Sequence, residues 1–513
     1  MILVWFIGIL LLSGLLAFIV GQWNTRASRW IALAGVASDF ILAVSFWIRT
    51  PNTGNAWITE YRINWIPDFG ISFHLALDGL SLLLLMLTFF LGVSAVLSSW
   101  TEIRERTSFY CLNLMAILTG ITGVFLAMDL FLFYFFWELM LIPMYFLIGI
   151  WGSENRTYAA YKFFIFTQAG GLLMLLAILG LYFIHGSNTG NYSFNYFDLL
   201  GTGLSPGIAM VLFLGFMIAF VVKLPVVPFH SWLPDAHSEA PTAGSLILAG
   251  LLLKTGAYGI IRFALPLFPE QASSVAFWTM LIGVIGIIYG AVLSFSQTDL
   301  KRLVAYTSVS HMGFVIFGVF AFNELALQGV VMQLLTHGIS TGALFVIAGM
   351  LKERLHTRDI NQMGGLWSDT PAMGGVAMLF AMASLGLPGL GNFIAEFLIL
   401  LGAYDQHRVL TVAATSGLIF SAIYSLRIMQ RVFMGWRGAK STISDISIRE
   451  TFIMASLSLA IVWLGLFPQK MFNTSRSAIK NIEGVFLAPK STDKTEKPVK
   501  KQEFVKTEDY DRN

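Results

Sequence analysis

The sequence predicts an all-α, polytopic membrane protein, and three observations carry that prediction. Hydrophobic residues make up 56% of 513 positions and charged residues only 12%, about half the charged share of a soluble domain. Mean hydropathy is +0.74. The apolar residues fall into about fourteen segments of roughly the 20 residues that a helix needs to cross a hydrocarbon core.

The first segment, 2–20, lacks a basic n-region and a cleavage site, so it reads as a retained helix rather than a signal peptide. It is followed by 30–48 and 76–99. The connection between them, from Asn52 to Leu77, is long, and its Trp57, Tyr61, Trp65 and Ile66 suggest an interfacial cap with an aromatic belt. Segments 109–128, 129–151, 157–184, 207–229 and 240–265 follow, with a tight junction at Asp129. A second run comprises 275–296, 300–322, 325–351, 371–404 and 409–435, and the last segment is 448–472. The stretch 371–404 is too long for one straight span, and Leu387-Pro388-Gly389 marks a break in it. Pro225 and Pro228 break 207–229 in the same way. The tail 484–513 mixes Lys494, Lys497 and Lys500 with Glu503, Glu508 and Asp509 and reads as a polar, disordered extension.

Paired broken helices point to inverted repeats around a central ion path. Glu138 to His311, Lys223 to Glu396 and Lys254 to Arg427 are each 173 positions apart, whereas the proline breaks are 163 apart. The expected organisation is therefore 1–108 as three N-terminal helices with their loop, 109–265 and 275–435 as two five-helix repeats, and 448–472 as a C-terminal helix. Arg104, Arg106, Arg156, Lys301, Arg302, Lys352, Arg354 and Arg358 follow odd-numbered segments, and few basic residues, Arg62 and Arg262 among them, fall in the opposite loops. The positive-inside rule makes the first set cytoplasmic, and fourteen crossings then leave both termini outside.

Several functions are excluded. A net charge of +3 offers no nucleic-acid surface. The single cysteine, Cys111, cannot form an internal disulfide or supply the thiolates of an iron–sulfur cluster. No dinucleotide fingerprint or P-loop occurs in the required context. The loop His230-Ser-Trp232-Leu-Pro234-Asp235-Ala-His237-Ser-Glu239 is rich in potential ligands, but its spacing matches no strong metal pattern, and a proton entry or coupling hinge suits it better.

The chemistry lies in ionisable residues within apolar segments. A charge in the hydrocarbon core costs at least ~2.5–3.5 kcal/mol on insertion scales, so such residues are rare unless used. Glu138 lies among Phe135, Phe136 and Trp137. Lys223 stands at the first proline break, Lys254 near mid-helix, and Glu396 eight positions past Pro388. Burial disfavours the charged form of each group and an opposite charge restores it, so a lysine whose carboxylate moves away has two proton affinities. An unperturbed histidine titrates near neutral pH and suits a relay, which makes His311 and His337 candidates; buried structural histidines would look the same from sequence alone.

Four motifs carry a family resemblance: Trp65-Ile-Pro-Asp-Phe-Gly with His74 and Asp78-Gly-Leu-Ser81; Phe136-Trp-Glu138-Leu-Met-Leu-Ile-Pro143; Val222-Lys223-Leu-Pro-Val-Val-Pro228 through Pro241-Thr; and Thr298-Asp-Leu-Lys-Arg through His311. They resemble the antiporter-like, proton-pumping membrane subunits of respiratory NADH:quinone oxidoreductase, complex I, of the M type. The resemblance covers all but about the last thirty residues. It implies that the glutamate at 138 sits beside Lys223, that Lys254 is central, and that His311 and His337 lead to Glu396 on the exit side. It also implies no cofactor in this chain, with FMN, iron–sulfur clusters and quinone in other subunits, related L- and N-type subunits as neighbours, and a bacterial inner membrane. A sodium/proton antiporter subunit and a non-conducting scaffold are the alternatives.

Overall fold

The computed structural model describes residues 1–50, 56–435 and 443–487. Its helices are α1 (Ile2–Val20), α2 (Thr25–Arg49), α3 (Gly79–Glu102), α4 (Thr107–Leu126), α5 (Leu130–Trp151), α6 (Arg156–Thr189), α7 (Pro206–Lys223), α8 (Trp232–Glu239), α9 (Thr242–Leu267), α10 (Pro269–Ser296), α11 (Leu300–Val319), α12 (Glu324–Leu355), α13 (Pro371–Ser384), α14 (Gly391–Tyr404), α15 (Arg408–Phe433), α16 (Ile448–Leu466) and α17 (Gln469–Leu487). Thirteen helices among the described residues are long and apolar enough to cross a membrane. The segment 371–404 is instead the shorter pair α13 and α14, parted at the Pro388 break.

Short side chains at the junctions set the starts. Asn24, Asp78, Asp129, Asp299 and Asn323 accept hydrogen bonds from the first free N–H groups of α2, α3, α5, α11 and α12. Ser447 and Glu450 close a reciprocal capping box on α16. The tight junction at Asp129 is such a cap, with α4 ending at Leu126.

The long early connection contains an antiparallel hairpin, β1 (Thr59–Ile66) and β2 (Ile71–Leu77), which pairs Thr59 with Leu77 and Ile66 with Ile71 around an irregularity at Asn64/Ile66. Gly70 turns it at φ +66°, where a side chain would be strained. The hairpin is fastened to the helices through Asp129, which accepts from the Ser72 N–H at 2.9 Å and hydroxyl at 3.0 Å.

Burial is graded. The apolar windows of α9 and α12 are entirely buried, against 28% for α2 and 33% for α15. The two innermost helices are those that carry Lys254 and His337, so the ionisable residues occupy the centre of the bundle and the lipid-facing helices surround it.

Three expectations are corrected. The last span ends at Leu466, and α17 follows it over Gln469–Leu487, covering residues assigned to the last span and to the start of the tail. Its Met471, Ala478, Ile479 and Ile482 are buried while Lys470 and Lys480 are exposed; that amphipathic pattern has no net hydropathy to announce a span. From residue 488 the tail lies outside the described residues. Arg262 is not in a loop but buried within α9, and Lys301 is buried near the start of α11.

Candidate functional site

Glu138 lies where α5 bends. Pro143 cannot donate to the Leu139 carbonyl and crowds it, and the helix is interrupted between Leu139 and Leu141. The carboxylate is half-buried in this chain, with Oε1 shielded and without a hydrogen-bond partner. Tyr134 and Gln168 stand beside it. Gly171 of α6 makes room, since a Cβ there would lie 2.6 Å from Oε1.

Lys223 is the last residue of α7. Pro225 and Pro228 stop the helix, and the carbonyl freed at Val222 accepts from the Trp232 indole N–H at 3.0 Å. The ammonium is buried and has no hydrogen-bond partner. It lies 4.9 Å from the centre of the Trp137 ring and 6.0 Å from that of Phe163, a cation–π seat. The expected pairing of Glu138 with Lys223 is therefore not a contact. The Trp137 ring, next to Glu138 in the chain, lies against the ammonium instead.

Lys254 is central. A π-turn over Leu248–Leu252 shifts the hydrogen-bond register of α9, and the ammonium donates to the carbonyl of Ala249 within that turn. Its other partner is His337 Nδ1 at 2.7 Å. Close approach of two backbones allows this contact: Gly250 and Gly338 face each other, and a Cβ on Gly338 would lie 3.0 Å from the Gly250 carbonyl oxygen. His337 Nε2 is buried without a partner.

The His337 and His311 rings are 5.5 Å apart, centre to centre. His311 Nδ1 lies 2.9 Å from Glu396 Oε1. Its Nε2 lies 3.1 Å from the Tyr424 hydroxyl and 3.3 Å from that of Ser384. Glu396 is in the second turn of α14, just past the break, and its Oε2 is buried and unpartnered. Lys254, His337, His311 and Glu396 thus form one continuous run of ionisable groups. Tyr424, Ser384 and Gln333, which lies 3.4 Å from His311 Nδ1, belong to it as well. Sequence carried no signal for these three, because buried hydroxyls and amides cost too little to stand out.

The ligand-rich loop is dispersed rather than convergent. Asp235 binds Lys162 at 2.7 Å and Arg302 at 2.9 Å. Glu239 binds Arg358 at 3.2 Å and the Asn155 N–H at 3.0 Å. His237 stacks on Phe345 at 4.5 Å, with both ring nitrogens unpartnered. Arg358 also reaches Asp299 at 3.0 Å. Most of the expected loop is the short helix α8, and these contacts fasten it to α6, to α11 and to the segment after α12. Lys301 donates to the Ala240 carbonyl at 2.8 Å beneath it.

Two broken helices and a buried run of lysine, histidine and glutamate define an antiporter-like membrane subunit. The family described as NADH:quinone oxidoreductase/Mrp antiporter, TM, matches residues 127–421. NADH-quinone oxidoreductase subunit M of Pseudomonas aeruginosa is 51% identical over 94% of this chain and 97% of its own length. That of Escherichia coli K12 is 50% identical over 95% and 98%. Among solved structures, a chain of respiratory complex I from Thermus thermophilus superposes with a TM-score of 0.84 at 31% identity, covering 93% of this chain and 99% of that one. A chain of the Mrp complex from a Dietzia species shares the fold, with a TM-score of 0.83 at 21% identity over 94% and 99%. The chain belongs to the NADH-quinone oxidoreductase subunit M family.

Proposed function

We propose that the chain moves protons across the membrane as a membrane-arm subunit of an NADH:quinone oxidoreductase, with Glu138, Lys223, Lys254, His337, His311 and Glu396 as its proton-transfer groups. The observation that carries the reading is the run from Lys254 through the two histidines to Glu396, all four buried, with Lys254 and His337 on the two entirely buried helices. A scaffold gains nothing from a chain of ionisable groups at that depth, each of which costs free energy to bury, with His337 Nε2 and Glu396 Oε2 left unpartnered.

In this mechanism a charge displacement in a neighbouring subunit shifts Glu138, which is half-buried at the flank of the chain. The ammonium of Lys223 then loses an electrostatic partner. Ion-pair energies in a low-dielectric interior are large enough to bias such a two-state element. Lys254 gives its own ammonium proton to His337 Nδ1, 2.7 Å away, and the amine so formed takes up the proton released from Lys223, while the histidines pass the first proton on to Glu396. Helix α8, fastened by Asp235 and Glu239, transmits movement between the halves. Redox chemistry has no place here: FMN, iron–sulfur clusters and quinone belong to other subunits, and the catalytic class is that of a translocase subunit.

The flanking partners in this reading are related antiporter-like subunits of the L and N types, in a bacterial cytoplasmic membrane with both termini on the periplasmic side. Proton flux in the reconstituted complex tests it. Neutral replacements at Glu138, Lys223 and Glu396 should each depress the flux, whereas a scaffold would leave it unchanged. A sodium/proton antiporter subunit is the second reading, supported by the shared fold of the Mrp chain; purification without flavin and iron–sulfur partners would favour it.

A further inference from the structure

Lys254, Tyr258 and Arg262 recur every fourth residue on α9 and so share one face. They make a polar seam from the central lysine towards the hairpin side of the bundle. Left open, that seam would give protons at Lys254 a second outlet. Its outer end is closed by a specific arrangement. Arg262 sits in a second π-turn, Ile260–Ala264, and its guanidinium binds the Asp78 carboxylate. Its Nε donates to the Tyr258 hydroxyl at 3.3 Å, and that hydroxyl donates to the Phe125 carbonyl at 3.0 Å. Asp78 Oδ1 accepts from the Ser81 N–H at 2.8 Å. The Trp57 ring covers the guanidinium at 4.8 Å. Arg262 is 5% exposed and Asp78 1%, so the pair is not a surface bridge.

We propose that the Arg262–Asp78 pair is an electrostatic plug that blocks proton escape from Lys254 along this seam, so that protons leave only through the histidines and Glu396. A guanidinium keeps its proton and cannot relay one, and a fixed arginine is a known kind of barrier to protons in a membrane pore. Asp78 is the group that could accept a proton here, but protonation would strip the buried guanidinium of its counter-charge, which is strongly unfavourable. The Tyr258 hydroxyl is committed to the Phe125 carbonyl, to Arg262 and to the Ser81 hydroxyl at 3.2 Å. The proposal rests on the proton-axis reading.

The test uses the whole complex in proteoliposomes without NADH, where collapse of an imposed pH gradient reports passive leak. Arg262→Gln alone strands a buried carboxylate, so the informative variant is Arg262→Gln with Asp78→Asn, which removes both charges and keeps hydrogen-bonding groups. The gradient should collapse severalfold faster than in the wild type, and Arg262→Lys should stay tight. Adding Lys254→Ala to the neutral pair should restore tightness. A neutral pair as tight as the wild type, or a leak indifferent to Lys254→Ala, overturns the plug. Neither outcome touches the axis, which falls separately if Lys254→Ala alone still pumps.

Discussion

Lys254 Nζ and His337 Nδ1 lie 2.7 Å apart at the centre of the bundle, a lysine nitrogen on an imidazole nitrogen, with no carboxylate among the described residues in contact with either. Whenever Lys254 carries its proton, the cation depends on that neutral acceptor. Hydrogen bonds to charged groups contribute about 1.5–3 kcal/mol, so His337→Leu should weaken the protonated state of Lys254 and depress pumping strongly. His337→Gln, which can present an amide oxygen, should retain more. Proton uptake per electron in the two variants checks the order.

The Gly250–Gly338 approach sets that distance. A methyl group on Gly338 meets the Gly250 carbonyl oxygen at 3.0 Å and Leu87 at 3.0 Å. Overpacking of this kind typically costs about 1–3 kcal/mol. Gly338→Ala should lower the thermal stability of the complex and slow pumping together, read by a melting curve and a flux assay on one preparation.

Gly171→Ala reaches Glu138 without removing a charge. The added carbon would sit 2.6 Å from Oε1, so the carboxylate must move. Pumping should fall towards the level of Glu138→Gln with assembly unaffected. Trp137→Leu removes a cation–π seat that contributes about 2 kcal/mol when desolvated, and should impair Lys223 in a flux assay while Trp137→Phe impairs it less.

The hairpin supplies a pH dependence outside the spans. His74 lies 2.6 Å from Glu60 Oε1, and this contact first, with the positive charge of His74 and Arg62, holds the Glu60 carboxyl below its usual 4.5. A carboxyl lowered in the folded state adds stability that is complete above its unfolded value and disappears as pH falls through the folded one. The Glu60 contribution to the hairpin should therefore be lost as pH falls below 4.5, by an amount that partial exposure of Glu60 keeps small. Glu60→Gln should flatten this profile in amide exchange measured at pH 4 and pH 7.

Much of this architecture is legible in the sequence because the bilayer makes departures costly. Charges at 138, 223, 254 and 396 stand out against apolar surroundings, and Pro225 and Pro388 announce the breaks. Arg262 misled, since a basic residue near a segment end reads as a loop residue until Asp78, 184 positions away, is seen to neutralise it. Helix α17 escaped notice because its amphipathic face has no net hydropathy. Ser384, Tyr424 and Gln333 join the site only through packing between distant segments. The indirect relation of Glu138 to Lys223 likewise depends on where the Trp137 ring lies, which spacing does not encode.

The most direct test replaces Lys254 by alanine and measures protons translocated per electron in the purified, reconstituted complex. The proton axis predicts a fully assembled complex in which translocation through this subunit is lost. An assembled Lys254→Ala complex with the wild-type ratio would contradict it.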